Sequence, residues 1–181
     1  MKITLLNGNP NPGPFDEYLD RLTQTLLADK HHVDRFNLRE LDIKYCTGCF
    51  GCWVKSPGEC EIKDDTWDVL RRVINSDLLL MASPVIMGFP SALAKNMIER
   101  LIPLIHPYFE IVQGEVHHIK RYEKYPVMGA LLEKSGDTDD EDIRIIHNIF
   151  LRNAINFKSR LGLFELTTRS AEEVAYAISH I

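Results

Sequence analysis

The residues Asp77–Ala82, DLLLMA, form a nearly continuous apolar run near the middle of the chain. An alternating run would indicate a strand with one solvated face, whereas a continuous run is typical of a parallel strand covered on both faces. Ser83-Pro84 ends the run. The chain therefore contains a candidate central strand, and the surrounding segments must supply helices for both of its faces.

Short β-type runs alternate with helical patterns along the chain. Four further strands are predicted, at Lys2–Leu6, His32–Leu38, Pro126–Leu132 and Leu161–Thr167. Helices are predicted over Phe15–Ala28, from Asp64 through Ile74, and over Ser91–Ile105, Asp139–Asn153 and Ala171–Ser179. This alternation predicts right-handed crossovers, and hence an α/β fold with a doubly wound five-stranded parallel sheet in three layers, α/β/α.

In such a sheet, ligands bind beyond the carboxyl ends of the strands, at the point where the strand order reverses. Three segments follow the predicted strands at that edge, Asn7–Phe15, Ser83–Gly88 and Glu133–Asp137. We expect them to converge.

Length and charge narrow the class of protein. The 181 residues predict one domain, 1–181, with a Cys-rich loop at 45–60 and an irregular insertion at 106–125. A net charge of -5 argues against a nucleic-acid partner, which would need a basic surface. No apolar stretch reaches the roughly 20 residues that span a bilayer, and the N-terminus lacks the pattern of a signal peptide. The prediction is a cytoplasmic protein without a membrane partner.

All four cysteines of the chain, Cys46, Cys49, Cys52 and Cys60, lie in one short loop with the spacing C-x2-C-x2-C-x7-C. Overlapping C-x-x-C steps allow a loop to wrap around one compact inorganic group, and this spacing favours a [4Fe-4S] cluster. Zinc sites are usually built from two separated pairs of cysteines. Zinc remains an alternative, as do reduced packing thiols or a redox dithiol pair.

The first predicted loop, NGNPNPGPFDEY, joins a strand to a helix and is a candidate phosphate site. It matches neither G-x-G-x-x-G nor a Walker A motif. Three prolines within it lack an N–H, and asparagine amides are the available substitutes. The candidate cofactor-binding residues are Asn7, Gly8, Asn9, Asn11, Gly13 and Phe15. The alternative is a strand-to-helix turn stiffened by proline.

The second loop follows the central strand and offers backbone groups and apolar surface to a flat ring. Its candidate residues are Ser83, Pro84, Val85, Ile86, Met87 and Gly88. Met87 and Phe89 could equally be packing residues. On the helix that follows, Lys95 and Arg100 are predicted to lie on a solvated face.

Two other groups are assigned structural roles. His106, His117 and His118 are interpreted as incidental histidines of a surface loop rather than metal ligands. The acidic residues within 137–142 are predicted to cap a helix and interact with its dipole rather than bind a cation.

Three motifs follow one another within residues 1–102: a strand ending in NGNP, then C-x-G-C-x-x-C with a later Cys and IKDD, then SPV-x-x-G-x-P-S-A-x-x-K-N-x-x-x-R. Together they resemble the NADPH-dependent FMN reductase family, and within it the iron–sulfur flavoprotein branch. The resemblance implies a flavodoxin-like fold, bound FMN, and a homodimer or homotetramer. It places the phosphate loop at Asn7–Phe15 and the isoalloxazine loop at Pro84–Gly88. The family's phosphate loop usually carries Ser or Thr hydroxyls, and residues 9–15 have none.

The leading functional hypothesis is an FMN-dependent oxidoreductase or electron-transfer flavoprotein. NAD(P)H, or a protein electron donor, would reduce the flavin, and the four cysteines would hold a [4Fe-4S] cluster. No catalytic side chain is predicted, because hydride transfer to a flavin need not use an acid or a base. The alternatives are a cluster-free NAD(P)H:quinone or FMN reductase with redox thiols, and a flavin-less binding or redox-sensing module.

Overall fold

Eight strands and six helices make up the computed structural model, which describes all 181 residues. The strands are β1 (Lys2–Asn7), β2 (His32–Asn37), β3 (Leu78–Ile86), β4 (Phe89–Pro90), β5 (Ile105–Val112), β6 (Glu115–Lys120), β7 (Val127–Glu133) and β8 (Leu161–Leu166). The helices are α1 (Pro14–Ala28), α2 (Gly51–Val54), α3 (Thr66–Ile74), α4 (Ala92–Arg100), α5 (Asp140–Asn156) and α6 (Ala171–Ser179).

Five parallel strands form the central sheet in the order β2-β1-β3-β7-β8, and the short β4 pairs antiparallel with β3. The strand order reverses between β1 and β3, as in flavodoxin-like doubly wound folds. The five predicted strands and the α/β fold class are confirmed. In the register of the sheet, Asn7 lies beside Ala82 on β3, and Ser83 lies beside Leu132 on β7.

Both faces of β3 are covered, as its apolar sequence predicts. Leu78 and Leu80 belong to the core that the sheet shares with α1 and α6, whereas Leu79 and Met81 belong to the core on the opposite face, under α3, α4 and α5. All four side chains are at most 1% exposed. The result is the expected three-layer arrangement. None of the helices combines the length and the apolar content that crossing a membrane requires.

Helix ends follow the predicted capping chemistry. The Asp139 carboxylate accepts a hydrogen bond from the Asp142 N–H, and Asp142 bonds back to the Asp139 N–H. This capping box confirms that the acidic residues serve the start of α5. The helix predicted over Ser91–Ile105 is shorter, because α4 ends at Arg100 and Pro103 lies in a separate 3-10 turn.

Residues 106–125 are not irregular throughout, which corrects the prediction. Strands β5 and β6 form an antiparallel hairpin, turned by Gln113 and Gly114, both with positive φ. Two consecutive positive φ values match the twist of a two-residue hairpin. Most side chains of the hairpin are exposed or half-buried, so its sequence lacks the apolar alternation that indicates a strand.

The close approach of Gly8 to α4 yields a stability prediction. A Cβ at Gly8 would lie 2.9 Å from the Ala94 Cβ and 3.0 Å from the Ser91 Oγ. Gly8→Ala is therefore expected to lower the free energy of unfolding by about 1–3 kcal/mol, measured in urea by tryptophan fluorescence. Gly13→Ala is the control, because nothing lies within 4 Å of its Cβ position. Equal effects of the two changes would contradict this explanation.

Candidate functional site

The first predicted segment is hydrogen bonded to the residues that flank the second, at the carboxyl edge of the sheet. The Gly8 N–H donates to the Ala82 carbonyl at 2.8 Å, and the Ser91 hydroxyl donates to the Gly8 carbonyl at 2.5 Å. The third segment joins them because Pro84 is in register with Glu133. These contacts place the first loop, the β3 loop and the end of β7 side by side, as expected for a flavodoxin-like switch point.

The first loop is organised around Asp16, a residue that the sequence analysis missed. Its carboxylate accepts hydrogen bonds from the Asn7 amide at 2.6 Å, the Asn9 amide at 3.0 Å and the Gly13 N–H at 3.1 Å. Arg39, which follows β2, donates to it at 2.9 Å. With Arg35, whose guanidinium lies 3.5 Å away, five donors converge on one carboxylate at the start of α1.

The other candidates of this loop lie in different environments. Phe15 is 2% exposed and packs in the core under α1 and α6. Gly8 is buried against α4, whereas Asn11 is exposed. The side chain of Phe15 is therefore not presented to the surface of the loop.

The second loop separates into an anchored part and an exposed part. Ser83 is fully buried and accepts the Ser91 N–H at 2.9 Å, and Val85 belongs to the core. Ile86 is exposed, and Met87 is 91% exposed with a φ of 50°. A non-glycine residue in the left-handed region is a candidate functional feature. Together with Gly88 at φ 73°, Met87 turns the chain into β4.

The residues at this edge fit one portion of a flavin better than the other. The exposed side chains of Ile86 and Met87 offer an apolar surface to a flat ring, and the half-buried Gly88 offers backbone groups. In the first loop, however, the amides of Asn7 and Asn9 and the Gly13 N–H are already engaged by the Asp16 carboxylate. The residues thus suit the ring portion of a flavin, whereas the phosphate portion has a competitor within the chain.

The four cysteines line one cavity of about 340 Å³ between the Cys loop and the end of α4. Burial, followed by the nearby Cys60, Cys46 and Cys49 thiols, raises the pKa of Cys52 above its usual value. No group of three or more His, Cys, Asp or Glu side chains is arranged to hold a single metal ion. The four thiols thus share one cavity without being arranged as a set of metal ligands.

Arg100 closes the base of this cavity, contrary to the predicted solvated face. Its side chain and that of Asp64 are each 1% exposed, and the pair is bidentate, with N···O distances of 2.7 and 3.0 Å. Arg100 also donates to the Lys44 carbonyl at 2.5 Å and to the Cys60 Sγ at 3.5 Å. One guanidinium thus ties together both ends of the Cys loop.

Asp64 is held as a carboxylate. Burial raises its pKa, but hydrogen bonds from Arg100 and from the N–H groups of Lys44 and Thr66 outweigh that effect and leave the pKa below its usual value. Lys95, the other predicted surface cation of α4, does remain partly exposed and pairs with Glu99. The two cations of α4 therefore have opposite environments.

The hairpin packs against the Cys loop through aromatic side chains. Trp53 donates its Nε1–H to the Ile105 carbonyl at 3.0 Å, and its ring centroid lies 5.1 Å from that of His118. His118 in turn hydrogen bonds the His106 carbonyl at 2.7 Å. His118 therefore serves packing between the hairpin and the Cys loop, which agrees with a structural rather than a metal-binding role.

A sequence model of the family described as NADPH-dependent FMN reductase matches residues 1–122. The chain belongs to this family. Two iron–sulfur flavoproteins of Archaeoglobus fulgidus are similar to the chain, at 29% identity over 100 residues and 34% over 107 residues. Those matches cover 55% and 59% of this chain and 48% of each relative. The chain thus spans about half the length of these relatives.

Solved structures of low sequence identity share the flavodoxin-like fold of this family member. An FMN-dependent NADH-azoreductase from Bacillus anthracis has a TM-score of 0.68 at 10% identity, over 99% of this chain and 98% of its own. An NAD(P)H:quinone oxidoreductase from Methanothermobacter marburgensis has a TM-score of 0.68 at 13% identity, over 99% of this chain and 92% of its own.

The buried pair at the base of the Cys loop generates a second prediction. Arg100→Met leaves the Asp64 carboxylate buried and unpaired, which is expected to lower the free energy of unfolding by about 3–5 kcal/mol. Lys95→Met, the same change on the same helix, removes only an exposed pair with Glu99 and should cost less than about 1 kcal/mol.

Urea unfolding of both variants measures the difference. The double variant Arg100→Met/Asp64→Leu should recover part of the loss, because no unpaired charge is then buried, although the Lys44 and Thr66 N–H groups lose the carboxylate that accepts from them. Equal stability of Arg100→Met and Lys95→Met would show that the ion pair does not hold the loop.

Proposed function

We propose that this chain is an NAD(P)H-linked oxidoreductase that binds FMN at the carboxyl edge of the sheet and a [4Fe-4S] cluster in the Cys loop. Membership of the NADPH-dependent FMN reductase family supports the flavin and the nicotinamide co-substrate. The observation that carries the two-cofactor proposal is the convergence of all four cysteines on one cavity beside the buried Arg100.

In the proposed flavin site, the protein positions the ring and the bound flavin supplies the hydride and electron chemistry. Ile86, Met87 and Gly88 would line one side of the ring, anchored by the buried Ser83 and Val85. The carboxyl of Glu133 lies at the same edge. Burial, and then the negative charge of Asp16, raises the pKa of Glu133 above its usual value.

In the proposed cluster site, Cys46, Cys49, Cys52 and Cys60 would be the ligands. The Arg100 guanidinium donates to the Cys60 sulfur and places a buried positive charge beside a group that would carry thiolates. Helix α4 begins beside the flavin loop and ends at this cavity. Its nine residues span about 13 Å, so one rigid element connects the two proposed sites.

Two further features belong to the proposal. The hairpin exposes Tyr108, Phe109, Ile111 and Val116, and this surface supports a homodimer or homotetramer, or docking of a protein electron donor or acceptor. Light scattering of the purified protein would distinguish a homodimer or a homotetramer from a monomer. A cytoplasmic location stays a prediction from the sequence.

A cluster-free reductase is the second candidate, because Cys46 and Cys49 are exposed and could serve as redox thiols. Iron and sulfide assays on protein purified without oxygen separate the two candidates. Iron and sulfide in about fourfold ratio to the chain would support the cluster. Flavin without iron would favour the second candidate, and protein that takes up no flavin would favour a binding or sensing module.

The cluster proposal predicts the behaviour of cysteine variants. Changing any of the four cysteines to serine is expected to remove most of the iron and the broad visible absorbance, because each thiolate holds one corner of the cluster. The fold should persist, as judged by circular dichroism. Thr47→Ser is the control, because Thr47 lines the same cavity and is exposed. Unchanged iron content in all four cysteine variants would contradict the proposal.

The flavin proposal predicts a local effect at Gly88. A Cβ there would lie 2.5 Å from the Asp142 Oδ1, at a φ of 73°. Gly88→Ala should therefore displace the loop, weaken flavin binding about tenfold or more, and slow bleaching of the flavin by NADPH. Gly114→Ala introduces similar backbone strain in the hairpin, with nothing within 4 Å, and should leave flavin affinity unchanged. Equal flavin affinity in both variants would place the flavin elsewhere.

A further inference from the structure

Every backbone N–H between Gly8 and Gly13 is already donated within the chain. Pro10 and Pro12 have none to donate. The remaining pairs are Gly8 N–H to the Ala82 carbonyl at 2.8 Å, Asn9 N–H to Asn7 Oδ1 at 2.9 Å, Asn11 N–H to Asn9 Oδ1 at 3.4 Å, and Gly13 N–H to Asp16 Oδ2 at 3.1 Å. A loop that binds phosphate between a strand and a helix instead directs such groups at the ligand.

Three of the side-chain donors in and beside this loop are engaged in the same way. The amides of Asn7 and Asn9 and the guanidinium of Arg39 all donate to the Asp16 carboxylate, at 2.6, 3.0 and 2.9 Å. Amide and guanidinium groups at a helix N-terminus are the donors that an anionic phosphate requires. The chain therefore provides an anion site and supplies its own anion.

The Asp16 carboxylate is ionised and shielded from solvent. Its side chain is 14% exposed. Burial raises the pKa of Asp16, but the hydrogen bonds from Arg39 and Asn7 outweigh that effect and hold the pKa below its usual value. Arg35, the second cation beside it, also pairs with Asp20. A phosphate dianion entering this loop would thus meet a negative charge whose neutralising partners are already taken.

We propose that Asp16 takes the place of the flavin phosphate, so that the chain binds a flavin through its ring and side chain and discriminates little between FMN and riboflavin. This inference rests on one part of the proposed function, which is that the carboxyl edge of the sheet binds a flavin. Phosphate would need Asp16 to release Asn7, Asn9, Gly13 and Arg39. Residues 9–15 carry no hydroxyl side chains, so the exposed Asn11 amide is the side-chain donor that remains within this stretch.

The test compares the dissociation constants of FMN and riboflavin by quenching of flavin fluorescence. For the wild-type chain, the two constants should agree within about threefold. Asp16→Asn removes the charge with little change of shape, and should tighten FMN binding about tenfold or more while leaving riboflavin binding unchanged. Glu17→Gln is the matched control on the same helix, because Glu17 is exposed and its side chain forms no hydrogen bond with Asp16 or its arginines. It should leave the ratio of the two constants unchanged.

The outcomes separate this inference from the proposed function. Binding of FMN at least about tenfold tighter than riboflavin by the wild-type chain would overturn the role of Asp16 and leave the flavin site standing. Binding of neither flavin would overturn both. Equal tightening of FMN and riboflavin by Asp16→Asn would reflect a general change of the loop and would also overturn the inference. If Asp16→Asn fails to fold, the wild-type ratio alone decides.

Discussion

The burial of both faces of β3 is the constraint on which the rest of the structure depends. A strand without a solvated face must satisfy its backbone through a neighbour on each side and its side chains through helices above and below. The neighbouring strands β1 and β7 pair with the backbone of β3, and the helices of the two apolar cores cover its side chains. The carboxyl end of β3 is thereby fixed between the first loop and Glu133, so the switch point is a direct consequence of this burial.

Helix α4 extends this constraint from the sheet to the Cys loop. Ser91, just before the helix, bonds both Gly8 and the buried Ser83, and Arg100 at its last turn bonds Lys44, Cys60 and Asp64. A buried ion pair contributes little net stability by itself, but it strongly disfavours arrangements in which either partner is left alone. The Arg100–Asp64 pair therefore specifies where the Cys loop lies. A displacement of α4 would alter the contacts of Ser91 at one proposed site and those of Arg100 at the other.

Elements with strong periodicity could be predicted from sequence, and contacts between distant segments could not. The run at Asp77–Ala82 and the capping box at Asp139 are local signals, and both were sufficient for the strand and for the start of α5. The hairpin lacks such a signal because few of its side chains are buried. Arg100 looks like a surface residue because its partner, Asp64, lies 36 residues away in the chain. Asp16 and Arg39 meet for the same reason, although their positions after β1 and β2 at one sheet edge could have indicated it.

Each of the two proposed sites contains an arginine that already pairs with a carboxylate of the chain, and this bears on which groups each site can accept. At the Cys cavity, Asp64 neutralises Arg100, and one nitrogen of the same guanidinium also reaches the Cys60 sulfur. The first loop has its cations neutralised by its own carboxylate, an arrangement that disfavours an additional anion. A flavin ring is uncharged, and the exposed apolar Ile86 and Met87 suit it. The two proposed sites therefore differ in a hydrogen bond to a cysteine sulfur at one and an exposed apolar surface at the other, rather than in net charge.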